Sequence, residues 1–234
     1  MKVGIIAEGW DDCGVIYNLL ISILPIESSD DVKYIRPKED ATDKEEAAFS
    51  NWPLVKKECI EKVELDKFLS VFPDEPKLII IQIDTAECEE QEYEVVRPAK
   101  SNLVDYSTNL RDAVIAKINE WLGPDFSVPV AYAVAIEETE AWIIALLDDN
   151  LRRDSCSLAD PKRRLKDNLS DYISRPSLKH YVGVKSNKGA FEAAHFLSGG
   201  FTRRKNLANA RKFNHGLNLF CAELEAHANE NEIG

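Results

Sequence analysis

The stretch from Lys77 to Glu87, KLIIIQIDTAE, constrains this chain most. Leu78, Ile79, Ile80, Ile81 and Ile83 are apolar on both alternating faces, which predicts a central strand covered on both sides. Pro76 bounds it before and a charged segment bounds it after. The run ends in a carboxylate, Asp84, where the chain leaves the sheet. A carboxylate at that place is costly to bury unpaired, so it must be solvated, paired or bound to a cation. In open α/β sheets ligands sit beyond the carboxyl ends of the strands.

Two other strand candidates end in acids. KVGIIAEG ends at Glu8, and VPVAYAVAIEETE reaches Glu137, Glu138 and Glu140. Between them the periodicity alternates. A helix from Cys13 to Ile23 stops at Pro25, Val32 to Arg36 is a short strand, and Pro37 to Ser50 is a polar loop. One helix spans Trp52 to Phe72, and an amphipathic one spans Val104 to Leu122 before Gly123. The acidic segment Cys88 to Ser101 has no clear period and reads as an exposed loop. Val128 to Ile136 is a strand, and Glu137 to Leu147 a helix. This alternation predicts an α/β fold with a mostly parallel sheet and helices on both faces.

After Asp148 no strand pattern remains. Helices are expected over Lys162 to Ile173, Ala190 to Leu197 and Arg203 to Leu224, with a fraying tail from Glu225. The division is therefore an α/β core over 1–148 and a C-terminal helical region over 149–234, packed on that core.

The formal charge of −12 disfavours non-specific attraction to a nucleic-acid backbone, yet the basic residues cluster late. Lys162, Arg163, Arg164 and Lys166 form one group; Lys179, Lys185 and Lys188 a second; Arg203, Arg204, Lys205, Arg211 and Lys212 a third. They form either a phosphate-gripping strip or a solvated helix face. The five cysteines are scattered without CxxC spacing and the histidines without HxxxH spacing, which gives no support for zinc and fits reduced thiols. No apolar run approaches a membrane span, and the chain starts directly into a strand, so a cytoplasmic protein is expected.

Glu8 precedes Gly9 at a sharp turn and suits a metal ligand or general base; Asp11 and Asp12 suit capping of the next helix. Glu137 and Glu140, three apart on a helix, would share a face. Two charges about 4 Å apart repel by about 4 kcal/mol at an effective dielectric near 20. Converging carboxylates therefore call for protons or a hard cation, magnesium or manganese.

A strand running into an EGxxD turn (Glu8, Gly9, Asp12), followed by a strand ending in Asp84, resembles the Toprim domain of topoisomerases, primases and OLD-family nucleases. The segments AIEETEAWIIALL, DPKRRL and NARKFNHGLNLFCAEL are similar to small bacterial Toprim-like proteins, several of them linked to phage defence. The resemblance implies a Rossmann-like sheet, Mg2+ or Mn2+ binding and phosphodiester chemistry on DNA or RNA. It makes Glu8 and Asp84 the catalytic pair. For the further metal ligands, either Glu87 substitutes for the missing carboxylate or Glu137 and Glu140 complete the site, and Asp12 of the EGxxD turn is a further candidate. From the basic clusters, and not from the resemblance, Lys185, Lys188, Arg203 and Arg204 are the candidate phosphate contacts, with a solvated face as the alternative. Ala86 stands where the second aspartate of the DxD motif is expected. That departure keeps a second expectation open: an inactive Toprim-like binding or regulatory subunit. A protein partner such as a defence-system ATPase, or a homo-oligomer, would fit either.

Overall fold

The computed structural model describes residues 1–38, 52–100, 102–147, 160–168 and 187–233. The sheet has four parallel strands: β1 (Lys2–Ile6), β2 (Val32–Arg36), β3 (Lys77–Asp84) and β4 (Val130–Ala135), in the order β2-β1-β3-β4. β3 is the interior strand its sequence requires: Leu78 to Ile83 are buried without a break. Its alternate residues feed two cores. Leu78 and Ile80 join Val3 and Ile5 of β1 and Ala131, Ala133 and Ala135 of β4 on one face. Ile79, Ile81 and Ile83 join Ile6 and Val134 on the other.

The first face is covered by α1 (Trp10–Ile23), α5 (Glu140–Leu147) and the C-terminal helices α7 (Asn187–Leu197), α8 (Arg204–Ala210) and α9 (His215–Ile233). The small α6 (Pro161–Asp167) adds Leu165. The second face is covered by α2 (Trp52–Glu61), α3 (Val63–Val71) and α4 (Leu103–Leu122). The three inward alanines of β4 leave room for Trp142 of α5 to stack on Phe220 of α9, with ring centroids 5.7 Å apart. The C-terminal helices thus share one core with the sheet.

Three expectations are corrected and a fourth in part. The helix expected over Trp52 to Phe72 is two helices, broken at Lys62, whose φ is 56°. Glu58 causes the break: its carboxylate accepts the backbone N–H groups of Glu64 and Leu65, both at 2.9 Å, and so starts a new helix. The helix expected from Arg203 to Leu224 is likewise divided, because Asn214 accepts the Leu217 N–H at 2.9 Å and caps α9. The polar tail does not fray from Glu225; α9 continues to Ile233. The acidic segment from Cys88 is the irregular, largely exposed loop expected, but it is not exposed throughout: Cys88, Tyr93 and Val95 are buried anchors, and Tyr93 packs against Trp52 and Trp121.

Gly123 ends α4 with φ 79°, as its position implied. The expected loop from Pro37 to Ser50 and the end of the helix expected to Ile173 lie largely outside the described residues. Among the described residues no helix is long and apolar enough to cross a membrane.

Candidate metal and acid site

β1 and β3 are hydrogen-bonded neighbours, so their carboxyl ends bring Glu8 beside Asp84. The Asp84 N–H donates to Glu8 Oε1 at 2.7 Å. Gln82, fully buried in β3, completes the link. Its Oε1 accepts the Glu8 N–H at 2.9 Å, while its Nε2 donates to Asp84 Oδ1 at 2.8 Å and contacts Thr139 Oγ1 at 3.2 Å. Thr139 in turn donates to Asp84 Oδ1 at 3.1 Å. Gln82 and Thr139 were not singled out from sequence. The signal was there for Gln82, as the one amide within the apolar run Leu78 to Ile83.

Two further acids enter from helices over the same face. Asp12, buried in the first turn of α1, accepts the Gly9 N–H at 3.0 Å. Glu140 opens α5, with its side chain 14% exposed. Burial and mutual repulsion disfavour charge on all four. Burial first, against the Asp84 hydrogen bond, pushes Glu8 up to about 8. Burial pushes Glu140 up to about 7, against the pull of Lys162. Asp12 is raised by burial and by Asp11, and Asp84 by burial and by Asp12, Glu8 and Glu140. Glu87 is half-buried and close enough to Glu8 to raise it further.

Glu137 takes a different course. It lies before α5 rather than in it, at φ 66°, so it does not share a helical face with Glu140 as the sequence suggested. Its backbone carbonyl accepts the N–H groups of Thr85 and Ala86, and Arg97 grips its carboxylate through two bonds of 2.8 and 3.2 Å. Arg97 also donates to the carbonyls of Thr85 and Ala86. Glu137 therefore fastens the exits of β3 and β4 together. Ala86, in the place of the second motif aspartate, is exposed.

The basic residue that reaches the acids is Lys162 of α6. Its Nζ lies 3.1 Å from Asp11 Oδ2 and 3.4 Å from Glu140 Oε1, and its backbone N–H donates to Glu138 Oε2 at 2.8 Å. A cavity of about 560 Å³ adjoins it, with Val15, Ile143 and Leu165 among its apolar walls, and its charged edge mixes Lys162, Arg163 and Lys166 with the acids Asp11, Asp12, Glu138, Glu140 and Asp160. Of the expected phosphate contacts, Lys188 is exposed and 3.8 Å from Glu192, Arg203 and Arg204 are exposed near the start of α8, and Lys185 lies outside the described residues.

The donor chemistry suits a hard divalent ion: carboxylates from two strand ends and two helix starts. Glu8, Asp12 and Asp84 each spend an oxygen on a hydrogen bond within the protein, and none of their other oxygens is sealed off without a partner. Their present spacing is more open than a ligand shell, for among the described residues no three His, Cys, Asp or Glu are drawn together tightly enough to hold a metal. Comparison with known protein families, with curated proteins and with solved structures found nothing that matches this chain.

Proposed function

We propose that the protein is a divalent-metal-dependent nuclease of the Toprim type, hydrolysing phosphodiester bonds of DNA or RNA. One observation carries the reading: Glu8 and Asp84 meet at adjacent strand ends, bonded through the Asp84 N–H, with Asp12 and Glu140 of the covering helices beside them. Those four residues would hold Mg2+ or Mn2+. Bound there, the ion supplies Lewis acidity to a phosphodiester and compensates charge that develops on it. In the metal-free protein burial holds a proton on Glu8 into the neutral range, so a cation held there would displace that proton and leave Glu8 ionised as a ligand. Gln82 and Thr139 keep Asp84 in place, and Lys162, Arg163 and Lys166 offer cations to the substrate backbone.

The test is cleavage of single- and double-stranded DNA and RNA with Mg2+ or Mn2+, compared with Glu8→Gln and Asp84→Asn. Loss of at least about 100-fold in each variant is expected, the scale of an acid–base contribution. Cleavage that survives both substitutions overturns the assignment.

A second reading is a binding or regulatory module that keeps the fold without the chemistry. Ala86 favours it, since a two-aspartate strand end lacks its second carboxylate here. Calorimetric titration with Mg2+ and Mn2+ separates the two: the nuclease reading requires binding that Asp84→Asn abolishes.

A further inference from the structure

The C-terminal helices hold a stretch unlike the rest of the chain. The whole carries 41 Asp and Glu against 29 Lys and Arg, yet from Ala193 to Ala222 there is no acid at all. Arg203, Arg204, Lys205, Arg211 and Lys212 all fall inside that stretch. In the fold α8 turns Leu207 and Ala210 into the core and leaves Arg204 and Lys205 exposed, with exposed Arg203 just before it and exposed Lys212 just after it. Among the described residues these four cations meet no carboxylate; Arg211, between them, is held by Glu225. Elsewhere Lys38, Lys56 and Lys67 each sit against a glutamate. We propose that the outer face of α8 binds the phosphodiester backbone of a nucleic acid, with no need of a metal or of the acids at the strand ends.

A solvated face in so acidic a protein would mix signs, since opposite charges three or four apart support a helix and like charges weaken it. Here one sign is kept, and an anionic partner relieves the repulsion. The seven residues of α8 span about 10 Å at about 1.5 Å each, the length over which one strand of a duplex presents about three phosphates. The guanidinium groups of Arg203 and Arg204 can each hold two phosphate oxygens at once. Between Thr202 and Lys212 no large apolar side chain is exposed, which leaves no anchor for a protein interface and nothing to insert into a lipid surface. The direction of α8 also suits a polymer. It starts beside the end of α1, where Ser22 donates to the Phe201 carbonyl, and leads into α9, whose Gly216 lies against Ile136 at the exit of β4. A backbone held along α8 is therefore led toward the strand ends that carry Glu8 and Asp84.

The experiment is fluorescence anisotropy of short labelled DNA and RNA, single- and double-stranded, in EDTA between about 50 and about 200 mM KCl. The double variant Arg203→Gln with Arg204→Gln is expected to bind at least about ten-fold more weakly and to lower the slope of log K against log salt by about 2, one for each lost phosphate contact. Lys205→Gln with Lys212→Gln, a second pair on the same face, should do likewise. Lys33→Gln with Lys57→Gln, which removes the same charge from exposed positions on β2 and α2, should bind as the wild type does. All three should melt close to the wild type, because the substitutions lie on the surface. Wild-type affinity in both α8 variants, or an equal loss in the Lys33 and Lys57 variant, overturns the proposal. So does a wild type that binds phosphatidylserine vesicles or polyglutamate but no nucleic acid. Binding in EDTA without cleavage in Mg2+ or Mn2+ removes the nuclease and leaves this face standing; cleavage with unchanged binding by both α8 variants does the reverse.

Discussion

Gln82 holds side by side two acids that would otherwise repel. By accepting from the Glu8 backbone and donating to the Asp84 carboxylate it sets both in one orientation. Gln82→Leu should lower stability by about 1–3 kcal/mol, because the buried Glu8 N–H loses its acceptor, and should weaken Mn2+ binding; urea denaturation and calorimetry measure the two effects. The raised proton affinities give a second expectation. Glu8 and Glu140 bind protons more tightly folded, at about 8 and about 7, than at their ordinary 4.5. Between those values the native state holds more protons than the unfolded chain, so their stabilising contribution is full at acid pH and is lost as pH rises through the folded values. In EDTA the melting temperature should therefore decline from about pH 5 to about pH 8, and less steeply in Glu8→Gln. At this scale Glu8 and Asp84 were legible from sequence, since an acid after an apolar strand has few explanations. Lys162 stood among the basic residues, but its reach to Glu140 depends on how α6 docks, which no local pattern encodes.

Helices and strands were more legible than the breaks and connections between them. The eight-residue strand β3 follows from its apolar run alone, and β2 from a five-residue stretch that mixes Val32, Tyr34 and Ile35 with basic residues. The split after Glu58 and the start of α9 at Asn214 depend on single side chains capping backbone groups inside otherwise helical patterns. The segment 88–97 was legible only in part, for another reason: its surface is acidic while its buried anchors Cys88, Tyr93 and Val95 follow no regular period. Arg97 locks that segment onto the strand exits through Thr85, Ala86, Tyr106 and Glu137. Arg97→Met should cost about 2–4 kcal/mol in chemical denaturation, since it strands the partly buried Glu137 carboxylate as well as removing the bonds. The crossing of α1 and α7 is as tight. A methyl group on Gly14 would sit 2.6 Å from the Phe191 carbonyl oxygen and 2.8 Å from the His195 nitrogen, backbone atoms that cannot turn aside. Gly14→Ala should therefore destabilise by about 1–3 kcal/mol, read from the same denaturation curves, despite its better helix propensity.

On the scale of the molecule, the two cores fix over which face of the sheet the acids gather, because α1 and α5 both lie over the face toward which Gln82 turns. The same helical side also closes the sheet at β4. There Glu223 of α9 accepts the Tyr132 N–H at 3.1 Å, and Arg111 of α4 bridges Glu223 to the Tyr132 carbonyl. Glu223→Ala would leave the buried Arg111 without its counter-ion and should lower stability by about 3–5 kcal/mol, with soluble aggregates seen by light scattering. Ninety-one residues separate Tyr132 from Glu223. A ribosome therefore releases this strand well before the residue that shields its flank, and for that interval the nascent chain presents a pairing surface to any neighbour. Chaperone demand during synthesis, and clumping of fragments that stop short of α9, follow from that delay.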